Sequence, residues 1–249
     1  GEYVFDHSWA NAWHRAGGEY YPKAQVAVPF SPVPGRRLML DPSLEDADQA
    51  NAFSALAGGA IKATDAMQLS SLHITFLTDV EATTLGKDDP RWIMRQGLQF
   101  HWQNNGFQDF DDFLGLMASR KRKTIRRERR DAAAGLTYQR LTGDDIKPHH
   151  WDAFYRFYMA TIEKKWGGAY LTRDFFDTIG QSMADRILLV MAADNGRMIA
   201  GALNFIGEDT LYGRNWGCAE ERPFLHFETC YYQAIDFAIE RGLKTVEAG

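Results

Sequence analysis

The alternation of apolar and polar positions is clearest in the last third of the chain. Residues 187–193 (ILLVMAA) are apolar throughout, and RMIAGALNF and TLYGRNW follow after the turn-forming strings DNG and GED. Three such runs separated by tight turns predict three consecutive strands. The period then changes. In LHFETCYYQAIDFAIERG, Phe224, Phe227, Tyr231, Ala234, Ile235 and Ala238 recur at three- and four-residue steps, which predicts a helix, and KTVEA predicts a fourth strand.

Upstream, residues 1–7 are predicted as a strand and SWANAWHRAG as a short helix, with Ser8 at the N-cap and Gly17-Gly18 at its end. A strand over Tyr20–Pro29 leads into the loop SPVPGRR, where Arg36 and Arg37 offer an anion seat. The spacing then predicts a helix from Leu44 to about Met67, a strand in SLHITFLT, a short helix DVEATTLGK closed by Gly86, and a strand in RWIMRQGLQFHWQNN turning at Asn104-Asn105-Gly106. His73 and His101 fall in these strands and receive no role. A long helix from Phe110 to Ala134 is stopped by Gly135, LTYQRL is a strand, and two further helices cover 151–165 and 173–183. The first of the two carries an aromatic stripe of Trp151, Phe154, Tyr155, Tyr158 and Trp166. The order of aromatic strand, helix ending in glycine and new strand occurs at both ends of the chain, with Asp6 and His7 in the place of Asn215 and Trp216. This echo predicts two related β-α-β units, hence two α/β domains.

Composition narrows the class. With 45% hydrophobic and 24% charged residues the chain is that of a soluble globular protein, and no run approaches the ~18 apolar residues of a membrane span. The start has neither the basic lead nor the apolar block of a secretory signal, so a cytoplasmic location is expected. Cys218 and Cys230 have neither metal-ligand spacing nor the density of a disulfide scaffold, so they are read as reduced packing residues, and no metal site is assigned. Opening on EYVF and stopping at VEAG, the chain reads as truncated at both ends.

Charge adds a located feature. Residues 120–130 hold eight cations against Glu128 alone, a net +7 inside a chain whose overall charge is −5. On a helical projection Leu114, Ala118, Ile125 and Ala132 form a thin packing stripe interrupted by Lys121, and the other cations spread over the opposite half. Crowded like charges favour a polyanion partner, with Arg122, Lys123, Arg126, Arg127 and Arg130 as the contacting set.

Candidate chemistry lies near the C-terminus. Arg214, Gly217 and Ala219 have the order R-x-x-G-x-A, which resembles the Q/R-x-x-G-x-G/A run of GNAT acetyltransferases. That resemblance implies backbone amides of Gly217, Cys218 and Ala219 turned toward a donor pyrophosphate in a loop between strand and helix, although Glu220 and Glu221 would oppose a diphosphate there. On the helix, Glu228 near the positive end is a candidate general base, with His226 two residues before it. Tyr212 is a candidate acid for the leaving group, and Glu247 a candidate proton acceptor.

The strings GEYVFDHSWA, YYPKAQVAVPFSPVPGRRL, FHWQNNGFQDFDDFL, SRKRKTIRRERR, LYGRNWGC and LHFETCYYQAIDFAIERGLKTVEAG resemble the bacterial Fem-like proteins described as peptidoglycan biosynthesis or recognition proteins and predicted N-acyltransferases. The resemblance covers essentially the whole chain. It implies an α/β (α+β) fold of two tandem GNAT-like domains with mixed central sheets, 1–107 and 108–249. It also implies transfer of an acyl or aminoacyl group to an amine, with acyl-CoA or aminoacyl-tRNA as donor rather than a tightly bound cofactor, a peptidoglycan precursor as acceptor, and tRNA as a partner. A non-catalytic module binding such a precursor or a nucleic acid through the basic helix is the competing expectation.

Overall fold

The computed structural model describes residues 3–164 and 168–247, so Trp166 of the aromatic stripe and the first two residues lie outside the described residues. The chain divides into two compact units, 1–97 and 98–249.

The second unit is built on a six-stranded sheet. Its strands are β3 (His101–Gln103), β4 (Leu136–Leu141), β5 (Ile187–Asp194), β6 (Arg197–Ile206), β7 (Thr210–Cys218) and β8 (Thr245–Glu247). The order is β3-β8-β7-β6-β5-β4, antiparallel except for the parallel pair β7–β8. The apolar run of β5 is explained by burial on both faces. Leu188 and Val190 point into one cluster, Ile187, Leu189 and Met191 into the other. The β5–β6 turn has positive φ at Asn195 (47°) and Gly196 (80°), the backbone of a type I′ hairpin, as the string DNG requires.

On one face pack α4 (Phe110–Gly115), α5 (Ser119–Ala133) and a C-terminal helical stretch, with Phe110, Leu114, Ile125, Ala234 and Ala238 in a common core. That stretch is α8 (Leu225–Phe227), a π turn (Glu228–Tyr232) and α9 (Gln233–Arg241). The other face carries α6 (Pro148–Lys164) and α7 (Arg173–Ser182), whose Trp151, Phe154, Phe157, Tyr158 and Phe176 form the second core. The aromatic stripe is therefore packing. A β-α-β crossover, β7 to the C-terminal helix to β8, generates the parallel pair.

The first unit holds α1 (Tyr3–Arg15), α2 (Asp46–Ala66), α3 (Asp79–Asp88) and a parallel pair of three-residue strands, β1 (Ala24–Val26) and β2 (Leu72–Ile74). Leu38, Phe53, Ala57 and Leu85 are its core. Thr78 and Glu81 close a capping box at the start of α3. Glu81 also accepts from the amides of Arg37 and Leu38.

Several sequence-based expectations are corrected. Residues 3–15 are one helix, not a strand followed by a helix, because its buried residues Asp6 and Ala10 stand one turn apart. The echo between the two ends thus lacks its first strand, and Asp6 and His7 lie on a helix. The strand expected over 91–105 shrinks to the three residues that find a partner in β8. The basic helix begins only at Ser119, since α4 ends at Gly115 and Ala118 is extended (ψ 143°). Gly86 lies inside α3 rather than closing it. Arg37 is no anion seat: its guanidinium donates to the carbonyls of Thr75 (2.8 Å), Val33 (2.6 Å) and Arg36 (3.3 Å), which pins the Pro/Gly loop.

Candidate functional site

The parallel pairing of β7 with β8 covers three positions, Thr210↔Thr245, Leu211↔Val246 and Tyr212↔Glu247. From Gly213 to Cys218, β7 is paired with β6 alone among the described residues. At the point of departure the β6–β7 register shifts: Leu203 faces Asn215 and Asn204 faces Gly213, so Arg214 is the extra residue of a β-bulge. Bulges bend a strand and re-aim its side chains, and they are over-represented beside active sites.

Arg214, Gly217 and Cys218 are therefore strand residues, not a loop between strand and helix. Gly217 has a packing reason to be glycine. A Cβ there would lie 2.1 Å from the carbonyl oxygen of Phe157, so α6 sits directly on β7. Thr161 of the same helix donates to the Trp216 carbonyl at 3.0 Å, and the Ala219 amide donates to the Ile199 carbonyl at 2.7 Å. The Ala219 amide is thus spent within the sheet. Glu220 and Glu221 are neutralised in place: Glu220 pairs with Arg197 and Arg222, Glu221 with Lys164 (2.6 Å), and these hydrogen-bonded cations hold both carboxyls below their ordinary range.

Glu228 opens the π turn and is 3% exposed. Arg129 reaches it from α5 with two hydrogen bonds, Nε to Oε2 at 3.1 Å and Nη2 to Oε1 at 2.9 Å, while Gln233 donates to Oε1 at 2.7 Å. The same guanidinium bonds Asp236 at 2.6 Å and lies 4.1 Å from the Phe110 ring centroid and 5.6 Å from that of Tyr232. Burial and then the Glu228 charge push the nearby Tyr138 phenol well above its ordinary value, and its hydroxyl donates to the Ala132 carbonyl. In this arrangement Glu228 is a buried hydrogen-bond acceptor with both oxygens occupied.

His226, by contrast, is exposed. It lies 4.9 Å from the Trp216 ring and 5.6 Å from Tyr231, beside the half-exposed Phe227. Trp216 and His226 thus meet where β7 approaches the C-terminal helix. Burial pushes the thiols of Cys218 and Cys230 above their ordinary value, consistent with packing residues.

Tyr212 lies at the last paired position, in register with Glu247 on one side and Phe205 on the other. Glu247 is 4% exposed, accepts from Gln99 Nε2 at 2.8 Å, and has Oε2 3.8 Å from His101 Nε2. His101, which the strand pattern left without a role, is brought to this carboxylate by the pairing of β3 with β8. No spacing in the sequence signals it, because residues 101 and 247 meet only through the sheet.

The basic element is less uniform than its composition. Arg129 turns inward, Arg126 pairs with Asp111 (3.0 Å), Arg130 with Asp131 (3.3 Å), and Arg122 donates to the Gly115 carbonyl at 3.3 Å. Arg120, Lys123 and Arg127, with Ser119 and Thr124, line a shallow depression of about 590 Å³ along the helix. Of the expected contacting set, Lys123 and Arg127 are in that depression. Arg120, outside that set, lines it as well.

A family model described as FemAB-like, peptidoglycan biosynthesis/recognition, matches residues 1–249. The chain belongs to the FemAB-like family. Among solved structures, this FemAB-like chain resembles L-PGS from Bacillus licheniformis at 10% identity and a TM-score of 0.52, covering 80% of this chain and 58% of that one. It also resembles the C-terminal domain of a protein described as a lysylphosphatidylglycerol synthetase from Agrobacterium fabrum, at 12% identity and a TM-score of 0.52, over 80% of this chain and 60% of that one. The FemAB-like chain therefore spans less than two thirds of either neighbour, and the likeness is one of fold. No curated protein sequence matches it. The α/β class with a mixed central sheet holds, and no helix among the described residues is long and apolar enough to cross a membrane.

Proposed function

We propose that the chain is an acyl- or aminoacyltransferase. It moves the group from an anionic donor, aminoacyl-tRNA or acyl-CoA, to an amine of a peptidoglycan precursor, in the cytoplasm. The observation that carries this reading is the bulge of β7 at Arg214, followed by Trp216 and His226 in ring contact where the strand meets the C-terminal helix. Membership of the FemAB-like family supports the same class of reaction. In this reading the reacting carbonyl lies beside that bulge. Arg214 and the strand segment Gly217–Cys218–Ala219 face the donor, Tyr212 donates a proton to the leaving oxygen or sulfur, and Glu228 contributes by fixing the π turn that presents His226. The tandem arrangement of GNAT-like domains, 1–107 and 108–249, is part of the proposal.

The cations Arg120, Lys123 and Arg127 along the depression favour a nucleic-acid donor, since each phosphate contact releases counterions. The test is binding of tRNA and of acetyl-CoA across a salt series. Wild type is expected to bind tRNA with an affinity that falls steeply with salt, and replacing Arg120, Lys123 and Arg127 together by Ala reduces the slope of log K against log salt by about 2. Replacing Arg130, paired with Asp131, has a smaller effect. Equal binding by the triple variant removes the basic helix from the donor site. Binding of tRNA or of the precursor with no transfer selects the alternative, a non-catalytic recognition module.

A further inference from the structure

We propose that His101 and Glu247 form the general-base dyad of the transfer reaction, with His101 as the catalytic base and Glu247 as its positioning residue. The inference rests on the transferase reading above and names the group that accepts the amine's proton, a role the sequence pattern assigned to Glu228 or His226.

Three features place the dyad. His101, Glu247 and Tyr212 are in register across three neighbouring strands, so their side chains project from one face of the sheet. Tyr212 is also in register with Phe205, which packs with the α6–α7 core, so the row belongs to the face opposite the C-terminal helix. Within it the two groups differ in access. Glu247 is 4% exposed and fixed by Gln99, whereas the His101 side chain is 31% exposed. A substrate amine can therefore approach the imidazole but not the carboxylate.

The chemistry follows from the contact. His101 Nε2 faces Glu247 Oε2 at 3.8 Å, too long for a hydrogen bond but near enough to fix which ring nitrogen is turned away from the carboxylate. With Nε2 turned to Glu247, Nδ1 is the nitrogen that takes the proton. The amine nitrogen attacks the donor's carbonyl carbon, the C–N bond forms, and the C–O or C–S bond breaks. The ammonium proton passes to His101 Nδ1, Tyr212 gives its proton to the departing oxygen or sulfur, and the His101 proton then restores the Tyr212 hydroxyl, so no further reactant is needed. Glu228, with both oxygens bonded to Arg129 and one also to Gln233, is poorly placed for that step.

The test compares wild type with His101→Ala, His101→Asn and Glu247→Gln, using acetyl-CoA and a tRNA pool aminoacylated with mixed amino acids as donors and a lysine-bearing muropeptide as acceptor. His101→Ala and His101→Asn are expected to lower kcat about 10²–10⁴-fold without weakening donor binding, and added imidazole restores part of the His101→Ala rate. Glu247→Gln lowers kcat by a smaller factor and leaves donor affinity unchanged. Since β3 is an edge strand, the asparagine variant separates lost chemistry from lost folding. Wild-type kcat in either His101 variant, or no rescue by imidazole in a folded His101→Ala, overturns the dyad and leaves the transferase reading standing. A wild-type protein that transfers nothing from either donor overturns both.

Discussion

Arg129 and Glu228 join the basic helix to the π turn through two parallel hydrogen bonds, at 3.1 and 2.9 Å, with the carboxylate 3% exposed. Burial alone would lower the arginine's pKa, but the bonds to Glu228 and Asp236 outweigh it and raise that pKa above the ordinary value. Removing one partner of such a pair leaves a buried charge uncompensated, at a cost of about 3–5 kcal/mol. Arg129→Met is therefore expected to lower the denaturation midpoint strongly, whereas Arg126→Met, which breaks an exposed pair with Asp111, changes stability by less than about 1 kcal/mol. Chemical denaturation of both variants checks the contrast.

Gly217→Ala is expected to destabilise the second unit although it adds only a methyl group. The new Cβ would stand 2.1 Å from a backbone oxygen of α6, which cannot swing aside as a side-chain end does. Overpacking of this kind costs about 1–3 kcal/mol. Gly196, with positive φ and open space around it, tests the other mechanism: Gly196→Asn keeps the left-handed backbone and should be nearly neutral. Thermal melts of the two variants, with unchanged stability in Gly217→Ala as the contrary result, decide whether α6 is seated on this strand.

The first unit is expected to lose stability in acid through His73. Burial, followed by the charges of Lys23 and Arg95, lowers its pKa from 6.5 to about 4. Its Nε2 meets Ser71 Oγ at 3.0 Å, and its Nδ1 lies 3.8 Å from Asp6, which also binds Lys23 and Arg95. Between those two pH values the unfolded chain binds the proton and the folded chain does not, so stability rises with pH across that window and falls as pH drops from about 6.5 toward 4. His73→Gln should flatten this part of the curve. A pH-stability profile parallel to wild type would contradict it.

Much of the second unit was legible from local pattern. The all-apolar run 187–193 and the Asn195-Gly196 turn carry short-range signals and became the expected elements, while the three- and four-residue spacing of 224–238 became a helical stretch interrupted by a π turn, with Phe224 left-handed before it. The errors cluster where a segment's state depends on a distant partner. Residues 3–15 begin with residue types common in strands, yet they form a helix whose Asp6 pairs with Lys23 and Arg95, far along the chain. The π turn at Glu228 has no compositional mark at all.

The candidate site divides in the same way. The count of cations in 120–130 is a property of the sequence, but which of them face outward is not: Arg129 is drawn inside by two carboxylates about a hundred residues away, leaving Arg120, Lys123 and Arg127 along the surface depression. Likewise R-x-x-G-x-A can be read from residues 214–219, but the glycine's contact with Phe157 cannot.

By itself the sequence determined the element types with strong periodicity, the place of the basic block, and the FemAB-like membership carried by long matching strings. The tertiary structure alone decided that β7 bulges at Arg214 and that His101 meets Glu247 across 146 residues of chain. The reason is physical. Periodicity and turn chemistry act within a few residues, whereas register, burial and ion pairing are settled by whichever distant strand or helix supplies the partner.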